Sequence, residues 1–255
     1  MVMIVNLIAI GLLITGGYGI KYVFDQQRDI KEAEEKRQEL LLSQQKEAKR
    51  LQEELQKKKD EENKTNKYRD FKKLKKQNPD VVGWLKMIGV KVDLPLVKYK
   101  NNVYYLTHNF DKEYNSMGWI FADSKNKFPD LSTNTIIYGH SYRSTTMFSN
   151  LKNALKNDWL SSKSKQIITL DTEKERLKFE VFSVYTTPVT DDYLYISFKD
   201  KDEYNKYLKQ ELKRSVKDFK VDVTTDDKII TLSTCYNTDK ERLVIHGKLK
   251  KDSNQ

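Results

Sequence analysis

Cys235 is the only cysteine of the chain, and it ends a β-prone run. Side chains alternate between the two faces of such a strand, and one of these faces could line a groove. In an extended strand, Thr231, Ser233 and Cys235 share one face. Ile230 and Leu232 then share the other face. An inert buried cysteine more commonly has apolar neighbours, whereas a face of small hydroxyl residues could receive an extended peptide. The pattern alone leaves a reactive thiol and an inert structural thiol both open.

Arg242 is a cation that the sequence can bring close to this thiol. The turn formers Asn237 and Asp239 follow the cysteine, and a β-prone run resumes at Arg242, which together predict a hairpin. If the turn centres between Thr238 and Asp239, Cys235 and Arg242 lie opposite each other, roughly 5 Å apart at the backbone. A guanidinium there could favour the thiolate or stabilise an oxyanion formed when the thiol attacks a carbonyl. A surface arginine without such a role is the alternative.

A thiol nucleophile also needs a group that moves protons, and the chain has three histidines. His140 follows the apolar run at residues 135–138 and a glycine that can bend the chain, which is a usual place for functional side chains. His108 also follows a strand-like run, and His246 shares the strand face of Arg242. The residues alone favour His140 and leave the other two open.

The amino-terminal segment predicts a membrane anchor over residues 1–24. Residues 1–20 carry no charged side chain and are long enough to cross a bilayer as a helix. A cleaved signal peptide is the alternative, but the basic start and the cleavage pattern of small residues are missing. The basic residues Lys21, Arg28 and Lys31 follow the run, so charge alone would favour a cytoplasmic body.

Residues 25–77 predict a charged helical stalk that leads into an N-terminal helix of the domain. The segment is rich in Glu, Lys, Arg and Gln and lacks Gly and Pro, as is typical of a long solvated helix. A partial heptad with Leu51 at position a and Leu41, Ala48 and Leu55 at position d leaves a coiled coil open. Other core positions of that heptad are polar, so a solvated spacer is favoured.

Residues 78–255 predict a folded domain that is mainly β with flanking helices. Short β-prone runs alternate with Gly, Asn, Asp and Pro, and their spacing predicts a mainly antiparallel β-barrel. Apolar residues at helical spacing predict a long helix at 201–219, before the cysteine strand, and a shorter helix is expected at 147–155. The predicted strands cover residues 81–87, 94–98, 117–121, 133–138, 166–170, 177–185, 228–234 and 243–249.

The composition argues against several classes of protein. The net charge of +10 is spread along the chain and forms no basic block, so nucleic acid is not an expected partner. A single cysteine allows neither an internal disulfide nor a cysteine-rich zinc site. With three histidines and no metal-binding motif, neither a metal nor another cofactor is expected.

Several motifs resemble those of a known family. The pattern TLSTC with a basic residue on the next strand, and YGHS upstream, resembles sortases. Three longer stretches are similar to class B sortases, and the resemblance covers the chain from about Phe71 to its end. It implies a sortase-like β-barrel with N-terminal helices, and the helix at 201–219 is similar to the insertion that separates class B from class A. The three stretches are NPDVVGWLKM, LPLVKYKNNVYYLTHNF and NTIIYGHSYRSTTMFSNL.

The resemblance assigns roles to particular residues. It makes Cys235 the nucleophile, His140 the acid and base, and Arg242 the residue that stabilises the oxyanion and positions the substrate. The loop between Cys235 and Arg242 is shorter than in some class B members. Ser233, Tyr195 and Ile196 would lie near the substrate groove, although a packing role is favoured for Ile196.

The resemblance also implies an activity and a location. Such an enzyme cleaves a C-terminal sorting signal, NPxTN-like or PxTG-like, after threonine, forms a thioester and transfers the protein to an amine of a cell-wall precursor. Hydrolysis is the side reaction. The catalytic domain would face outward from the membrane of a Gram-positive cell, against the charge-based orientation. Alternatives are a pilus-assembling sortase that joins pilin subunits, a cysteine protease, and a non-catalytic membrane-tethered scaffold.

Overall fold

The computed structural model describes residues 69–141, 146–236 and 238–250, together with residues 21, 24, 28, 31, 35–39, 41–47 and 49–54. These residues fall into two units, one that ends at Asn63 and one that begins at Lys64. The first unit contributes helical, exposed residues. Close opposite charges accompany this helix, with Lys36 and Glu39 2.8 Å apart and Lys31 and Glu35 3.9 Å apart. Pairs at this spacing are expected of a solvated helix.

The predicted membrane anchor and part of the heptad lie outside the described residues. Residues 1–20 are not described, and neither are the heptad positions Ala48 and Leu55. Leu41 and Leu51, which are described, are both exposed. Within the described part of the chain, no helix is long and apolar enough to cross a bilayer. The anchor and the coiled coil therefore stay predictions.

The second unit is a closed barrel of eight strands, in the order β1–β2–β3–β4–β7–β8–β6–β5. Six neighbouring pairs are antiparallel, while β2 with β3 and β4 with β7 are parallel. The predicted barrel, mainly antiparallel, is confirmed. The strands are β1 (Val81–Met87), β2 (Val92–Lys98), β3 (Phe121–Ala122), β4 (Asn134–Tyr138), β5 (Ile167–Asp171), β6 (Arg176–Pro188), β7 (Ile229–Tyr236) and β8 (Thr238–Leu249).

Apolar side chains from one face of each strand fill the barrel. Ile230 and Leu232 of β7 pack in the core with Leu243 and Ile245 of the neighbouring β8. The intervening residues of β7 face the opposite way, as expected for a side-chain period of two. The predicted assignment of the two faces of the cysteine strand is therefore confirmed.

Among the residues described from 69 onward, three helices flank the barrel, and they are α1 (Phe71–Gln77), α2 (Asn157–Leu160) and α3 (Lys201–Arg214). Helix α3 begins where the carboxylate of Asp200 accepts a hydrogen bond from the backbone N–H of Glu203 at 2.9 Å, a standard N-cap. Its buried face contains Tyr204, Tyr207 and Leu208, which pack with Phe182 and Ile229 of the barrel. Short 3-10 segments occur at Tyr104–Leu106, Leu151–Leu155 and Lys163–Lys165.

Three predicted elements differ from the structure. The strand expected at 117–121 reduces to Phe121–Ala122, because Gly118 has a φ of +58°, which a strand does not accommodate. Helix α3 ends at Arg214 rather than at residue 219, since the backbone N–H of Val216 bonds to the carbonyl of Val184 at 2.8 Å. The helix expected at 147–155 is a 3-10 segment over Leu151–Leu155.

Candidate active site

Strand pairing places Arg242 directly opposite Cys235. The two residues are partners in the antiparallel ladder between β7 and β8, as the hairpin predicted, and the register shifts immediately after Cys235. The Cys235 thiol is free and half-buried. One guanidinium nitrogen of Arg242, Nη1, donates to the backbone carbonyl of Glu241 at 3.0 Å. A cation that is always charged therefore lies on the strand next to a thiol.

The parallel pairing of β4 with β7 brings His140 to the same end of the barrel as Cys235. Tyr138, the last residue of β4, pairs with Ser233, and His140 and Cys235 each follow two residues later along the chain. Parallel strands run in the same direction, so residues that follow a paired position equally far along both strands stay close together. The chain thus brings together a histidine and a cysteine that are far apart in sequence.

A backbone carbonyl orients the His140 ring. Nε2 of His140 lies 2.8 Å from the carbonyl oxygen of Leu106. A carbonyl only accepts hydrogen bonds, so Nε2 carries a hydrogen in this contact. In the neutral ring, Nδ1 is then the nitrogen that takes up a proton. The segment containing Leu106 therefore determines which nitrogen of His140 can act as a base.

Cys235, His140 and Arg242 line one cleft with a volume of about 410 Å3. Its wall includes Tyr193, whose hydroxyl lies 3.0 Å from the Ser233 hydroxyl. Burial raises the pKa of Tyr193, so its hydroxyl keeps its proton at neutral pH and stays able to donate a hydrogen bond. The remaining wall residues are Asn102, Leu106, Phe121, Tyr138, Gly139, Val189, Thr190, Asp191, Leu194 and Thr234.

Of the three residues expected at the groove, the structure brings only Ser233 into the cleft wall. Tyr195 lies outside that wall, where its exposed ring stacks on Phe198 with centroids 6.0 Å apart. Ile196 contributes its backbone carbonyl to the N–H of Asn134 at 3.1 Å.

Tyr193 and Leu194 occupy the wall instead, and the sequence analysis did not single them out. They lie in the segment between β6 and α3, which has no regular secondary structure. It therefore has no side-chain period from which the inward-facing residues could be identified.

The other two histidines lie away from the cleft. The His108 ring stacks on Tyr104, with centroids 4.0 Å apart and an interplanar angle of 11°. His246 is fully buried, and its Nε2 lies 2.9 Å from the carboxylate of Glu211. Neither residue lines the cleft that contains Cys235. Among the described residues, no group of three or more His, Cys, Asp or Glu side chains is placed to hold a metal ion.

The arrangement suits acyl transfer. A thiol can attack a carbonyl, an imidazole can carry the proton of the leaving or entering group, and a guanidinium can stabilise the oxyanion between those steps. The three groups line a cleft whose other residues are partly apolar, as needed to hold an extended peptide.

Comparisons with known proteins agree with this chemistry. A family profile described as the sortase domain matches residues 87–250. Sortase B of Staphylococcus aureus is 36% identical over 186 residues, which cover 72% of this chain and 75% of the relative. A solved Staphylococcus aureus sortase B–substrate complex superposes with a TM-score of 0.69 at 33% identity, covering 80% of this chain and 95% of that chain. A crystal structure of sortase B complexed with triglycine has the same score and identity, covering 79% and 96%.

Proposed function

The chain belongs to the sortase family, in class B, and from that premise we propose that it cleaves a C-terminal sorting signal after threonine and transfers the protein to a cell-wall amine. The observation that carries the proposal is the cleft lined by Cys235, His140 and Arg242. Family membership supports a cysteine transpeptidase, and this cleft supports those three residues as its reacting groups.

In the proposed first half-reaction, the Cys235 thiolate attacks the carbonyl carbon of the threonine at the cleavage point. A carbon–sulfur bond forms and the carbonyl oxygen becomes an oxyanion, which the Arg242 guanidinium stabilises. The oxyanion then collapses, the peptide bond breaks, and His140 donates a proton to the departing amine nitrogen. The products are a thioester on Cys235 and the released C-terminal fragment.

In the proposed second half-reaction, an acceptor amine attacks the thioester. His140 takes the proton that the amine loses, the new amide bond forms, and Cys235 leaves as the thiolate. Water in place of the amine gives hydrolysis as the side reaction. The relative crystallised with triglycine supports a glycine-type amine as a first acceptor to test.

The test uses the full-length chain in detergent, incubated with NPxTN-type and PxTG-type peptides, with and without triglycine. We expect mass spectrometry to show a peptide ending in threonine joined to triglycine, and an acyl adduct on Cys235. Ligation to a lysine-bearing peptide but not to triglycine would favour a pilus-assembling sortase. Cleavage that never yields ligation would indicate a protease, and an unreactive Cys235 without cleavage would indicate a scaffold.

We also propose that residues 1–24 anchor the chain in the membrane with the barrel outside the cell. The uncharged run at residues 1–20 supports the anchor, and the proposed use of a cell-wall acceptor supports the orientation. Because Cys235 is the only cysteine, a membrane-impermeant maleimide applied to intact cells shows directly on which side of the membrane Cys235 lies. Labelling of Cys235 without lysis is expected. Labelling only after lysis would place the barrel in the cytoplasm.

Replacing Arg242 by alanine is expected to lower kcat by about 10²-fold to 10³-fold, the usual cost of losing one oxyanion donor. Arg242→Lys should retain part of the rate, because a single ammonium keeps the charge but not the planar donor group. Lys240→Ala is the matched control, since Lys240 is an exposed cation on the same strand outside the cleft wall. Steady-state kinetics of peptide cleavage measures all three. An Arg242→Ala rate within about threefold of the parent would remove the proposed role.

Replacing Gly118 by alanine is expected to slow the reaction as well as destabilise the fold. The added Cβ would lie 2.4 Å from the carbonyl oxygen of Tyr105 and 2.8 Å from that of Leu106, the carbonyl that orients His140. A backbone shift there changes the position of the His140 ring, so kcat should fall by at least about tenfold.

Gly89→Ala is the control for that prediction, because Gly89 also has a positive φ, +83°. Its added Cβ would approach the side chains of Trp159 and Lys165, which do not line the cleft. Both variants should lose about 1–2 kcal/mol of stability for the left-handed backbone alone. Thermal unfolding and kcat, measured on both proteins, separate the two effects. Equal kcat values at equal Tm would show that Gly118 matters only for stability.

A further inference from the structure

Helix α3 covers a buried pair of ionisable side chains that the proposed chemistry does not use. Glu211 of α3 and His246 of β8 are both fully buried, and Nε2 of His246 lies 2.9 Å from Oε2 of Glu211. Tyr185 of β6 donates a hydrogen bond to the same carboxylate oxygen. A buried polar pair is retained only when its hydrogen bonds are satisfied, and these contacts satisfy it.

The hydrogen bonds around His246 show which of its ring nitrogens carries a hydrogen. The Asn134 side-chain nitrogen donates to the carbonyl of Tyr195 at 2.9 Å, so the Asn134 oxygen accepts the Thr231 hydroxyl hydrogen at 2.8 Å. Thr231 has then given up its only hydrogen and must accept from Nδ1 of His246, 2.9 Å away. The ring therefore carries a hydrogen on Nδ1. On the other side, its Nε2 faces a carboxylate that already accepts from Tyr185.

Arg214 of α3 contacts the other oxygen of the same carboxylate. Its Nη1 lies 3.3 Å from Oε1 of Glu211. Glu211 therefore connects His246 of β8 to Arg214 of α3.

These contacts continue to the wall of the cleft. Arg214 also donates to Asp192 at 3.0 Å, and this bond lowers the pKa of Asp192, which stays charged at neutral pH. Asp192, Arg214 and Glu211 thus form a row of ion pairs, defined here as the charge row. The charge row ends at Asp192, next to Tyr193, the wall residue that binds the Ser233 hydroxyl.

A second connection joins α3 to the same wall. The Tyr207 hydroxyl donates to the backbone carbonyl of Tyr193 at 2.9 Å. Helix α3 therefore holds the Tyr193 backbone through Tyr207 and the neighbouring residue through Arg214. The segment between β6 and α3 contains no strand or helix, so these side-chain contacts from α3 help to hold its conformation.

We propose that Glu211 is a positioning residue for the substrate cleft, acting through the charge row to hold the wall segment at Asp192 and Tyr193 against strand β7. The inference rests on the proposed function and adds a role for helix α3 in it. Glu211 does not line the cleft and touches no reacting atom. Its loss should displace the wall that receives the peptide while leaving Cys235, His140 and Arg242 at the strand ends.

The test replaces Glu211 by glutamine and, separately, Arg214 by glutamine, in the full-length chain. Glu211→Gln keeps the shape and removes the charge, while Arg214→Gln cuts the row between Glu211 and Asp192. Each variant is expected to raise KM for the sorting peptide by about tenfold and to change kcat by less than about threefold. The rate at which iodoacetamide alkylates Cys235 should stay within about twofold of the parent, because a small reagent does not need the wall.

Asp227→Asn is the matched control for a purely structural effect. Asp227 is also a buried carboxylate near α3, bonded to Thr224 and Lys248, but it has no contact with the cleft wall. Thermal unfolding is measured on every variant, and assays are run below the lowest Tm. Asp227→Asn should lower Tm without raising KM.

Three results would overturn the proposal. KM within about twofold of the parent in folded variants removes it, and so does an equal rise of KM in Asp227→Asn at equal Tm. A fall in kcat and in the alkylation rate at constant KM would mean that the row acts on the reacting groups instead. If Glu211→Gln does not fold, Arg214→Gln decides, because Arg214 is partly exposed and its loss leaves the Glu211–His246 pair intact. A parent that cleaves no peptide would count against the proposed function, not against the charge row.

Discussion

The Cys235→Ala variant is expected to lose all measurable transpeptidation, a fall of at least about 10⁴-fold in kcat. Without a thiolate no thioester forms, and the cleft then offers only positioning and oxyanion support. Because the chain has no second cysteine, no other thiol can replace it. Mass spectrometry after incubation with a sorting peptide should show an acyl adduct on the parent protein and none on the variant.

Measurements of Tm and of peptide binding distinguish the loss of the nucleophile from a loss of structure. Cys235 is half-buried at the end of β7, where truncation to alanine removes one sulfur atom and no hydrogen bond of the barrel ladder. The variant should therefore keep the parent Tm and bind the uncleaved peptide with similar affinity. Residual turnover, or an acyl adduct on another residue, would contradict Cys235 as the nucleophile. A loss of Tm together with activity would leave a structural role for Cys235 and would count equally against the assignment.

Local signals predicted the hairpin that pairs Cys235 with Arg242. Turn residues and the alternation of apolar residues act over a few positions, so they specify which residues of neighbouring strands meet. The same alternation predicted that Ile230 and Leu232 face the core. These parts of the fold and of the candidate site could be read from short stretches of sequence.

The proximity of His140 to Cys235 could not be predicted from such short stretches of sequence. It depends on the parallel pairing of β4 with β7, two strands separated by roughly ninety residues, whose pairing no local pattern specifies. The role of His140 as acid and base was instead predicted from the resemblance to a known family. The residues alone had left His108 and His246 open, and the structure places both outside the cleft wall.

The residues of the segment between β6 and α3 that line the cleft could not be predicted from the sequence, for a different reason. Tyr195 was expected at the groove, but the structure places Tyr193 and Leu194 there. Their segment owes its conformation to side chains of α3, including Tyr207 and Arg214, and not to a repeating backbone pattern. Such tertiary contacts leave no period in the sequence, so an error of one or two residues is expected in this segment.

Replacing His140 by alanine is expected to lower kcat by about 10²-fold to 10⁴-fold, the usual contribution of a positioned acid and base. Both proposed half-reactions move a proton through this ring, so acylation and transfer should both slow. Rapid-quench measurement of the Cys235 adduct gives the first rate, and release of the adduct by triglycine gives the second. His140 contacts the Leu106 carbonyl, and its loss removes one hydrogen bond, so Tm should fall only slightly.

His108→Ala is the control that separates this role from a general effect of losing an imidazole. His108 stacks on Tyr104 in the segment that also contains Leu106, yet it lies outside the cleft wall, so its removal should change kcat by less than about threefold. If the two variants lose activity equally, the segment that orients His140 would matter more than the ring itself. If His140→Ala alone keeps near-parental rates in both half-reactions, another group must carry the proton, and the assignment of His140 as acid and base is wrong.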